Sequence, residues 1–293
     1  MKSVEKVFLI INFDKVIPDD FLNELNSLLE SSSCSLYVFR DTAEYLKSRD
    51  SSINCNIIEN KAEMQSMDIA IVLGGDGSIL NASTLVCSYN IPILGINFGT
   101  LGYMAELEAS DIAKVKDVLA GKYQCEERMM LSAKIQRSDK STVMMPPALN
   151  DIVLSNGPIA RLLNFNVSCN GVLIEKCRAD GLVVATPTGS TAYSMSAGGP
   201  ILAPVLNAFC LTPICPHSFG SRPVILNGDD TVTLSDIRVV KDNAVYLTVD
   251  GRLAEKVNDG DMITVSRSKL KTSLIRLKDN SFLSVLNSKL QDI

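Results

Sequence analysis

The sequence predicts two domains: an N-terminal Rossmann-like, doubly wound α/β domain at residues 1–122 and a C-terminal β-sandwich-like domain at residues 123–274. The length of 293 residues suits about two domains. Short apolar runs alternate with amphipathic segments over the first 120 residues, whereas closely spaced strands and turn dipeptides follow after about Glu126. Residues 275–293 are expected to pack back on the first domain.

The first domain is predicted from strand and helix patterns taken in chain order. Apolar runs predict strands at Val7–Ile11, Leu36–Phe39, Ile69–Leu73 and Ile91–Ile96. Apolar residues at helical spacing predict helices at Asp20–Leu29 with Asp19 or Asp20 as the cap, at Ser78–Cys87, and at Asp111–Leu119, which Gly121 stops. Strands that alternate with helices imply a parallel sheet covered by helices.

The second domain is predicted from hairpins. Asn170-Gly171 and Asp250-Gly251 each separate two strand-like runs, and these dipeptides supply the positive φ angles that tight hairpin turns need. The flanking strands are predicted at Phe165–Cys169, Val172–Cys177, Tyr246–Val249 and Arg252–Val257. A series of hairpins predicts an antiparallel β domain. The last stretch, Ser281–Leu290, is predicted to be helical.

Composition and charge exclude several classes of protein. With 46% apolar and 21% charged residues, the chain is typical of a globular protein and not of a disordered or fibrous one. The formal net charge of −5 and the lack of tryptophan argue against broad nucleic-acid binding. The N-terminal apolar run ends at Ile11, and the sequence contains no run of about 18 apolar residues that would span a membrane. We therefore expect a cytoplasmic protein that binds neither nucleic acid nor membranes.

The eight cysteines and the single histidine predict no metal centre. No two cysteines form a CxxC pair, and His217 is the only histidine, so ligands for a structural zinc ion do not cluster. The serines near His217 are not in a GxSxG turn, which argues against a hydrolase triad. The thiols of a cytoplasmic protein are expected to be reduced.

A glycine-rich motif follows the buried strand Ile69–Leu73 and precedes a helix. Gly74, Gly75 and Gly77 let the backbone come close to a phosphate group at a helix N-terminus. Asp76 interrupts these glycines, and a carboxylate beside phosphates is useful if it accepts a proton from a reacting hydroxyl or binds a metal ion. The alternative is a tight turn in which Asp76 caps the helix.

Three further segments place glycines or polar residues next to predicted strands. Gly95–Tyr103 contains three glycines, which fits either a loop that a ligand approaches or an ordinary connection. Asn150 and Asp151 suit a base edge and ribose hydroxyls, or alternatively the start of a strand after a turn. Arg178–Ile201 is rich in serine, threonine and glycine, which fits a phosphate- and sugar-rich ligand or a loop whose hydroxyls bond the local backbone.

Taken together, these motifs resemble the NAD kinase family from Gly74 through Gly251. The resemblance rests on GGDG at 74–77, NFGTLGY at 97–103, the Asn-Asp pair at 150–151, RADGLVVATPTGSTAYSMSAGGPI at 178–201, LTPICPHS at 211–218 and VDGR at 249–252. GGDG alone is weak, because phosphofructokinases and lipid kinases carry a similar element. The long segment at 178–201 makes the resemblance specific.

The resemblance implies magnesium-dependent transfer of a phosphoryl group from ATP to the 2′-hydroxyl of the adenosine ribose of NAD+, a step of NADP biosynthesis. Asp76 would be the catalytic base, and the phosphates would lie against Gly74, Gly75 and Gly77. The implied NAD-binding residues are Asp76, Gly77, Tyr103, Asn150, Asp151, Arg178, Asp180, Thr188, Thr191, Ala192, Tyr193 and Ser196. No residue is predicted to ligate the metal.

Three of these positions differ from the usual family residue. Tyr103 stands where phenylalanine is usual, Thr188 where serine is common, and Asp151 where glutamate is common. The shorter Asp151 side chain changes the contact with the ribose but not the chemistry. Asp180 would bind NAD from a neighbouring subunit, which implies a homodimer or homotetramer.

Two other functions fit parts of the sequence. A lipid kinase of the diacylglycerol or sphingosine type shares GGDG, but the chain lacks a basic amphipathic helix for docking on bilayers, and residues 178–201 would have no role. A non-catalytic NAD(P) sensor would keep the pocket, but binding alone gains little from the Asp76 carboxylate beside phosphates.

Overall fold

The computed structural model describes residues 3–49, 53–99, 102–157, 162–218, 220–239, 244–277 and 282–291. The chain divides into unit 1, which comprises Met1–Glu127 and Thr272–Ile293, and unit 2, which comprises Arg128–Lys271. These boundaries differ by a few residues from those expected at 122/123 and 274/275. The reason is that two long strands, Gln124–Gln136 and Met262–Arg276, run from one unit into the other without a linker.

Strands and helices alternate along the first part of the chain, and strands dominate the rest. The first elements are β1 (Lys6–Ile11), α1 (Asp19–Ser31), β2 (Ser35–Val38), α2 (Arg40–Ser48), β3 (Asn56–Ile57), β4 (Ile69–Gly74), α3 (Asp76–Val86), β5 (Ile93–Asn97), β6 (Leu107–Glu108) and α4 (Val115–Leu119). Next are β7 (Gln124–Gln136), β8 (Thr142–Met144), β9 (Asp151–Asn156), β10 (Leu163–Cys169), β11 (Val172–Ala179), β12 (Gly181–Ala185), α5 (Tyr193–Ser196) and β13 (Ala208–Ile214). The last are β14 (Val224–Asn227), β15 (Thr231–Arg238), β16 (Val245–Val249), β17 (Leu253–Val257), β18 (Met262–Arg276) and α6 (Phe282–Gln291).

Unit 1 is built on a parallel sheet in the order β5-β4-β1-β2-β3, and β6 and the end of β18 also pair with β5. In the middle of this sheet, Ile71 pairs with Leu9 on one side and with Leu94 on the other. All six residues of β4 are buried, as in parallel strands that are covered on both faces. The predicted α/β architecture is therefore confirmed, and the carboxyl ends of β1, β4 and β5 lie side by side.

Helix α3 begins earlier than the sequence pattern predicted. It starts at Asp76 and not at Ser78, and Gly75 is the extended residue before it. Asp76 therefore lies in the first helical turn and is not a cap that precedes the helix. The apolar pattern located the helix correctly but missed its first turn, because Asp76 and Gly77 carry no apolar signal.

Two other helix ends also differ from the prediction. Pro18 precedes α1, and the acidic residues expected to cap it, Asp19 and Asp20, lie inside its first turn. The predicted helix Asp111–Leu119 is a 3₁₀ turn followed by the short α4, and Gly121 comes after it with a φ of 75°. Helix α2 and strand β3 escaped prediction because both are short and mostly polar.

Unit 2 contains two antiparallel sheets that enclose one core. One sheet has the order β11-β10-β15-β18, with β7 and β8 beside β18, and the other has the order β14-β13-β12-β9-β16-β17. Phe165 and Val232 from the first sheet share a buried cluster with Leu182 and Phe209 from the second. The β-sandwich-like prediction is therefore confirmed.

The hairpins predicted at the Asn-Gly and the Asp-Gly dipeptide both form. Asn170 and Gly171 have φ angles of 49° and 81° and join β10 to β11 by a two-residue turn. Asp250 and Gly251 have φ angles of 50° and 67° and join β16 to β17. Helix α6 covers residues 282–290 of the predicted stretch and ends one residue beyond it, at Gln291, whereas Ser281 lies outside the described residues.

Candidate active site

The GGDG motif forms the junction between β4 and α3 in unit 1. β4 ends at Gly74, and a Cβ atom on that residue would overlap the Ser78 hydroxyl, so only glycine fits there. Asp76 follows as the first residue of α3. The junction places Asp76 at the carboxyl edge of a parallel sheet, which is where open α/β folds bind ligands.

Both oxygens of the Asp76 carboxylate accept backbone hydrogen bonds from the loop after β5. Tyr103 N donates to Oδ2 at 2.7 Å, and Met104 N donates to Oδ1 at 3.1 Å. Each carboxylate oxygen keeps acceptor capacity beyond these bonds, and Asp76 is only half-buried. The loop thus holds the predicted base in one orientation and leaves it able to take a proton.

Gly77 is exposed on the first turn of α3, beside a cavity of about 270 Å³. The cavity lies between the end of β1 and α3, and its walls are formed by Ile10, Ile11, Asn12, Phe13, Asp14, Gly77, Ser78 and Asn81. Asn12 Nδ2 donates to Ser78 Oγ at 3.1 Å and ties the two walls together. This cavity adjoins the predicted phosphate loop.

Tyr103 is half-buried, and its ring centroid lies 6.4 Å from that of Phe282 at the start of α6. Burial, and to a smaller extent the charge of Asp76, raises the pKa of the Tyr103 hydroxyl. The side chain therefore stays neutral and presents an aromatic surface. Two other residues of the same motif, Thr100 and Leu101, lie outside the described residues.

In unit 2, Asp250 fixes the backbone on either side of Asn150. Its Oδ1 accepts hydrogen bonds from Asn150 N at 2.7 Å and Asp151 N at 3.1 Å, and its Oδ2 accepts one from Leu149 N at 3.0 Å. The hairpin turn between β16 and β17 carries Asp250, whose own N–H donates to Asp151 O at 3.0 Å. The start of β9 is thus bound to this turn by four hydrogen bonds.

The side chains at this position are buried and electrostatically unusual. Asp151 is only 4% exposed, and burial together with the charge of Asp250 raises its pKa to about 7. Burial also raises the pKa of Asp250, against the opposing effect of its backbone donors. Asn150 Oδ1 is buried and has no hydrogen-bond partner among the described residues. Such an oxygen is costly to leave unpaired, so Asn150 is ready to accept a hydrogen bond from a ligand.

The segment after β12 folds against Asn150. Thr186 N donates to Asn150 O at 2.8 Å, and Thr186 Oγ1 donates to Leu149 O at 2.6 Å. Gly189 passes so close that an added Cβ atom would lie 2.7 Å from Asn150 Cα. These contacts place Thr186 and Gly189 directly against Asn150.

Many hydroxyls of this segment face the interior of unit 2. Ser190 Oγ donates to Pro187 O at 2.6 Å, and Ser194 Oγ shares a hydrogen bond of 2.9 Å with Thr212 Oγ1. These two hydroxyls bond the local backbone and a core threonine, which is the alternative that the sequence left open for this segment.

The predicted ligand-binding residues of the segment differ in exposure. Thr188 is buried, and its Oγ1 accepts a hydrogen bond from Arg128 at 3.2 Å. Thr191 Oγ1 donates to Thr188 O at 3.2 Å. Ala192 is half-buried, Ser196 is exposed, and Tyr193 is 47% exposed. Tyr193 and Ser196 thus offer accessible hydroxyls.

Arg178 and Asp180 lie where the chain passes from one sheet of unit 2 to the other. Arg178 is exposed near the end of β11, and its carbonyl accepts a hydrogen bond from His217 N at 2.8 Å. Asp180 is half-buried between β11 and β12, and its N–H donates to Ile214 O at 2.9 Å. The backbone at both positions is fixed.

Sequence reasoning missed two residues that organise the site. Asp250 was predicted only as a turn residue, and its place in the VDGR motif was the available signal. Arg128, which is 4% exposed and bonded to Thr188, lies in no motif, so no sequence signal could have found it.

Some features are absent from the described residues. No three His, Cys, Asp or Glu side chains among them cluster to hold a metal ion. The eight cysteines are all free thiols. Across the described ranges, none of the helices has the length and apolar character needed to cross a bilayer.

Curated relatives match the chain over nearly its full length. The NAD kinase of Natranaerobius thermophilus is 38% identical over 98% of both chains. That of Moorella thermoacetica is 36% identical over 99% of this chain and 90% of the relative.

Solved structures also match. Yeast NADH kinase complexed with NADH superposes with a TM-score of 0.87 at 27% identity and covers 99% of this chain and 88% of its own. An NAD kinase from Archaeoglobus fulgidus in complex with ATP gives a TM-score of 0.74 at 22% identity, with 98% of this chain and 99% of its own covered, and so supports the fold alone.

Two family models account for most of the chain. The model of the ATP-NAD kinase N-terminal domain matches residues 7–123, and that of the ATP-NAD kinase C-terminal domain matches residues 149–277. The first match contains the Asp76 junction, and the second contains Asn150, Asp250 and the segment 188–196. On this evidence the chain belongs to the ATP-NAD kinase family.

Proposed function

We propose that this chain transfers the γ-phosphoryl group of ATP to the 2′-hydroxyl of the adenosine ribose of NAD+ and releases NADP+ and ADP. Membership of the ATP-NAD kinase family supports both substrates. The observation that carries the proposed mechanism is the Asp76 carboxylate, which stands at the carboxyl edge of the sheet and accepts two backbone N–H groups. Asp76 is the general base.

In this reaction Asp76 accepts the proton of the 2′-hydroxyl while the ribose oxygen bonds to the γ-phosphorus. The bond from the γ-phosphorus to the bridging oxygen breaks, and its electron pair remains on ADP. A ribose hydroxyl is a weak nucleophile at neutral pH, so a positioned base contributes about 10²–10⁴-fold in rate. The rest of the catalysis comes from positioning and charge neutralisation.

The β-rich domain, expected at residues 123–274, supplies most of the NAD contacts. The unpartnered Asn150 Oδ1 accepts a hydrogen bond from the adenine, and Asp151 bonds the ribose hydroxyls. The remaining contacts of this domain come from Arg178, Thr188, Thr191, Ala192, Tyr193 and Ser196. In unit 1, Gly77 and the aromatic ring of Tyr103 contact NAD next to Asp76.

The donor phosphates lie against Gly74, Gly75 and Gly77. The N-terminus of the 11-residue α3 supports this placement, because helix N-termini favour negative charge. Magnesium bound with ATP would neutralise charge on its phosphates.

The chain acts as a homodimer or homotetramer in which Asp180 reaches the NAD of a neighbouring subunit. The position of β11 supports self-association, because this strand lies at the edge of its sheet and directly precedes Asp180 in the chain. Val172, Leu173 and Ile174 of this strand are 69%, 48% and 41% exposed. Consecutive exposed apolar residues on an edge strand are typical of a covered interface. The free thiols fit a cytoplasmic enzyme.

The test is an endpoint assay with purified protein, magnesium, ATP and either NAD+ or NADH, in which a dehydrogenase specific for NADP(H) reads the product. We expect NADP+ from NAD+, and product from both acceptors would extend the activity to NADH. Folded protein that binds NAD without turnover, with either ATP or polyphosphate, would contradict the proposal and favour the sensor. Phosphorylation of diacylglycerol in vesicles would favour the lipid kinase, which the family models do not support.

A further inference from the structure

The backbone at Gly102 lies so close to the Asp76 carboxylate that any side chain at this position would overlap with it. An ideal Cβ atom on Gly102 would lie 2.5 Å from Asp76 Cγ and 2.8 Å from Oδ2, and closer still to Oδ1. Real Cβ atoms do not approach other atoms so closely. The three atoms nearest to that Cβ position all belong to the Asp76 carboxyl group, so an alanine at Gly102 would meet the carboxylate first.

The contact is part of the arrangement that orients Asp76. Gly102 directly precedes Tyr103 and Met104, whose N–H groups donate to the two carboxylate oxygens at 2.7 and 3.1 Å. Both N–H groups come within hydrogen-bonding distance of the carboxylate because the backbone at Gly102 lies against it. A larger residue would force apart the two groups that these bonds join.

We propose that Gly102 is a positioning residue for phosphoryl transfer: its missing side chain lets the 103–104 backbone close on Asp76 and hold the carboxylate toward the acceptor hydroxyl. This inference rests on the proposed role of Asp76. It adds a requirement that the base hypothesis alone does not make, namely that the base works only when this loop is in contact with it.

A methyl group at Gly102 displaces the carboxylate and not the loop. The carboxylate is the mobile end of a side chain, whereas Gly102 is part of a buried backbone. A rotation about the Asp76 side-chain bonds relieves the overlap and breaks one or both N–H bonds. Misplacement of a reacting group by about 1 Å can cost about 10²-fold in rate.

The experiment compares Gly102→Ala with the wild type in steady-state assays that vary NAD+ and ATP. We expect kcat to fall by about 10²-fold, with the KM for NAD+ changed by less than about threefold, because the ligand contacts remain. Gly220→Ala is the matched control: among the described residues, its added Cβ would come near Ser218 Oγ alone, at 3.9 Å, and the variant should keep the wild-type kcat.

A second comparison separates positioning from a general effect on folding. If the overlap is with the carboxylate, Gly102→Ala lowers the melting temperature when Asp76 is present. In the Asp76→Ala background, which lacks the carboxylate, the same substitution should cause no such loss. The double variant Asp76→Ala/Gly102→Ala should therefore melt at the temperature of Asp76→Ala alone. This comparison also applies if Gly102→Ala by itself does not fold.

Two results would overturn the inference. One is a Gly102→Ala enzyme whose kcat stays within twofold of wild type. The other is a double variant that loses as much stability from the alanine as the wild type does, because the clash would then be with the backbone. A wild-type protein without kinase activity would instead contradict the proposed function itself, so the two failures are distinguishable.

Discussion

Each unit of the molecule contains an aspartate that accepts hydrogen bonds from backbone N–H groups of a segment far away in sequence. The two arrangements differ in which partner is oriented. In unit 1, the N–H groups of Tyr103 and Met104 hold the side chain of Asp76, which is the group proposed to react. In unit 2, the side chain of Asp250 holds the N–H groups of residues 149–151, which carry the proposed ligand contacts. The same type of hydrogen bond, from a backbone N–H group to a carboxylate, orients the proposed base in unit 1 and the proposed binding segment in unit 2.

Asp76 and Asp250 are both half-buried, but their surroundings differ. The half-buried position leaves Asp76 accessible to a substrate hydroxyl, as the proposed base role requires. In unit 2, Asp151 is buried beside Asp250, and burial raises the pKa of both carboxyls. Changes in unit 1 are therefore expected to affect turnover, and changes in unit 2 are expected to affect NAD affinity and stability.

The largest expected effect is that of Asp76→Asn. The amide has nearly the shape of the carboxylate but cannot take the ribose proton, and its NH2 group leaves one of the two backbone donors unpaired. We therefore expect kcat to fall by about 10²–10⁴-fold. NAD affinity, measured by calorimetric titration, should stay close to that of wild type. Near-normal turnover in this variant would remove Asp76 as the base.

Asp250→Asn tests the other half of the comparison. The NH2 group of the asparagine cannot accept a hydrogen bond from a backbone N–H group, so at least one of the three backbone donors is left unpaired. We expect a loss of about 1–3 kcal/mol in the free energy of unfolding and a rise of about tenfold in the KM for NAD+, with a smaller change in kcat.

The control for Asp250→Asn is Asp259→Asn. Asp259 is exposed on another turn, and among the described residues it accepts one backbone bond, from Val239 N at 3.2 Å. Its replacement should change neither the KM for NAD+ nor the free energy of unfolding by a comparable amount. If Asp250→Asn lowered kcat alone, the division between the two units would be wrong.

Asp180→Ala extends the comparison to the neighbouring subunit. Its NAD affinity should fall, and we expect complementation when it is co-expressed with Asp76→Asn under two different affinity tags. In the purified mixed dimer, one site contains both native residues, so activity should recover to about half that of wild type. No recovery would show that Asp180 acts within its own subunit or not at all.

The last prediction concerns a pH dependence of stability that comes from Asp151. Its pKa is about 7 in the folded protein, against an ordinary value of 3.8, so the folded state holds an extra proton between these values. The free energy of unfolding should therefore decrease as the pH rises from about 4 to 7, by at most about 1.4 kcal/mol per pH unit from this group.

Denaturant titrations across that pH range, with Asp151→Asn as the reference, measure this contribution. The variant should lack the decrease that the wild type shows. Asp250→Asn should move the decrease to lower pH, because it removes the charge that helps to raise the pKa of Asp151. Equal slopes in wild type and Asp151→Asn would contradict the assignment.

Local patterns in the sequence predicted a large part of the fold. The all-apolar runs of β4 and β5 indicated a parallel sheet, and Asn170-Gly171 and Asp250-Gly251 indicated hairpins, because turn geometry and strand burial depend on a few neighbouring residues. Boundaries were less accurate. The start of α3 at Asp76 was missed, since a polar first turn gives no apolar signal.

The candidate site divides in the same way. The sequence by itself determined that Asp76 follows a buried strand, and it predicted Asn150, Asp151 and the segment 178–201 as polar parts of the candidate site. Only the tertiary structure decided that Gly102 lies against Asp76 and that Asp250 binds residues 149–151. It also turned the Ser190 and Ser194 hydroxyls inward. These contacts join residues that are 12 to 101 positions apart, and most of them involve backbone atoms that every residue shares, so the motifs could single out a residue such as Asp250 but not its partners.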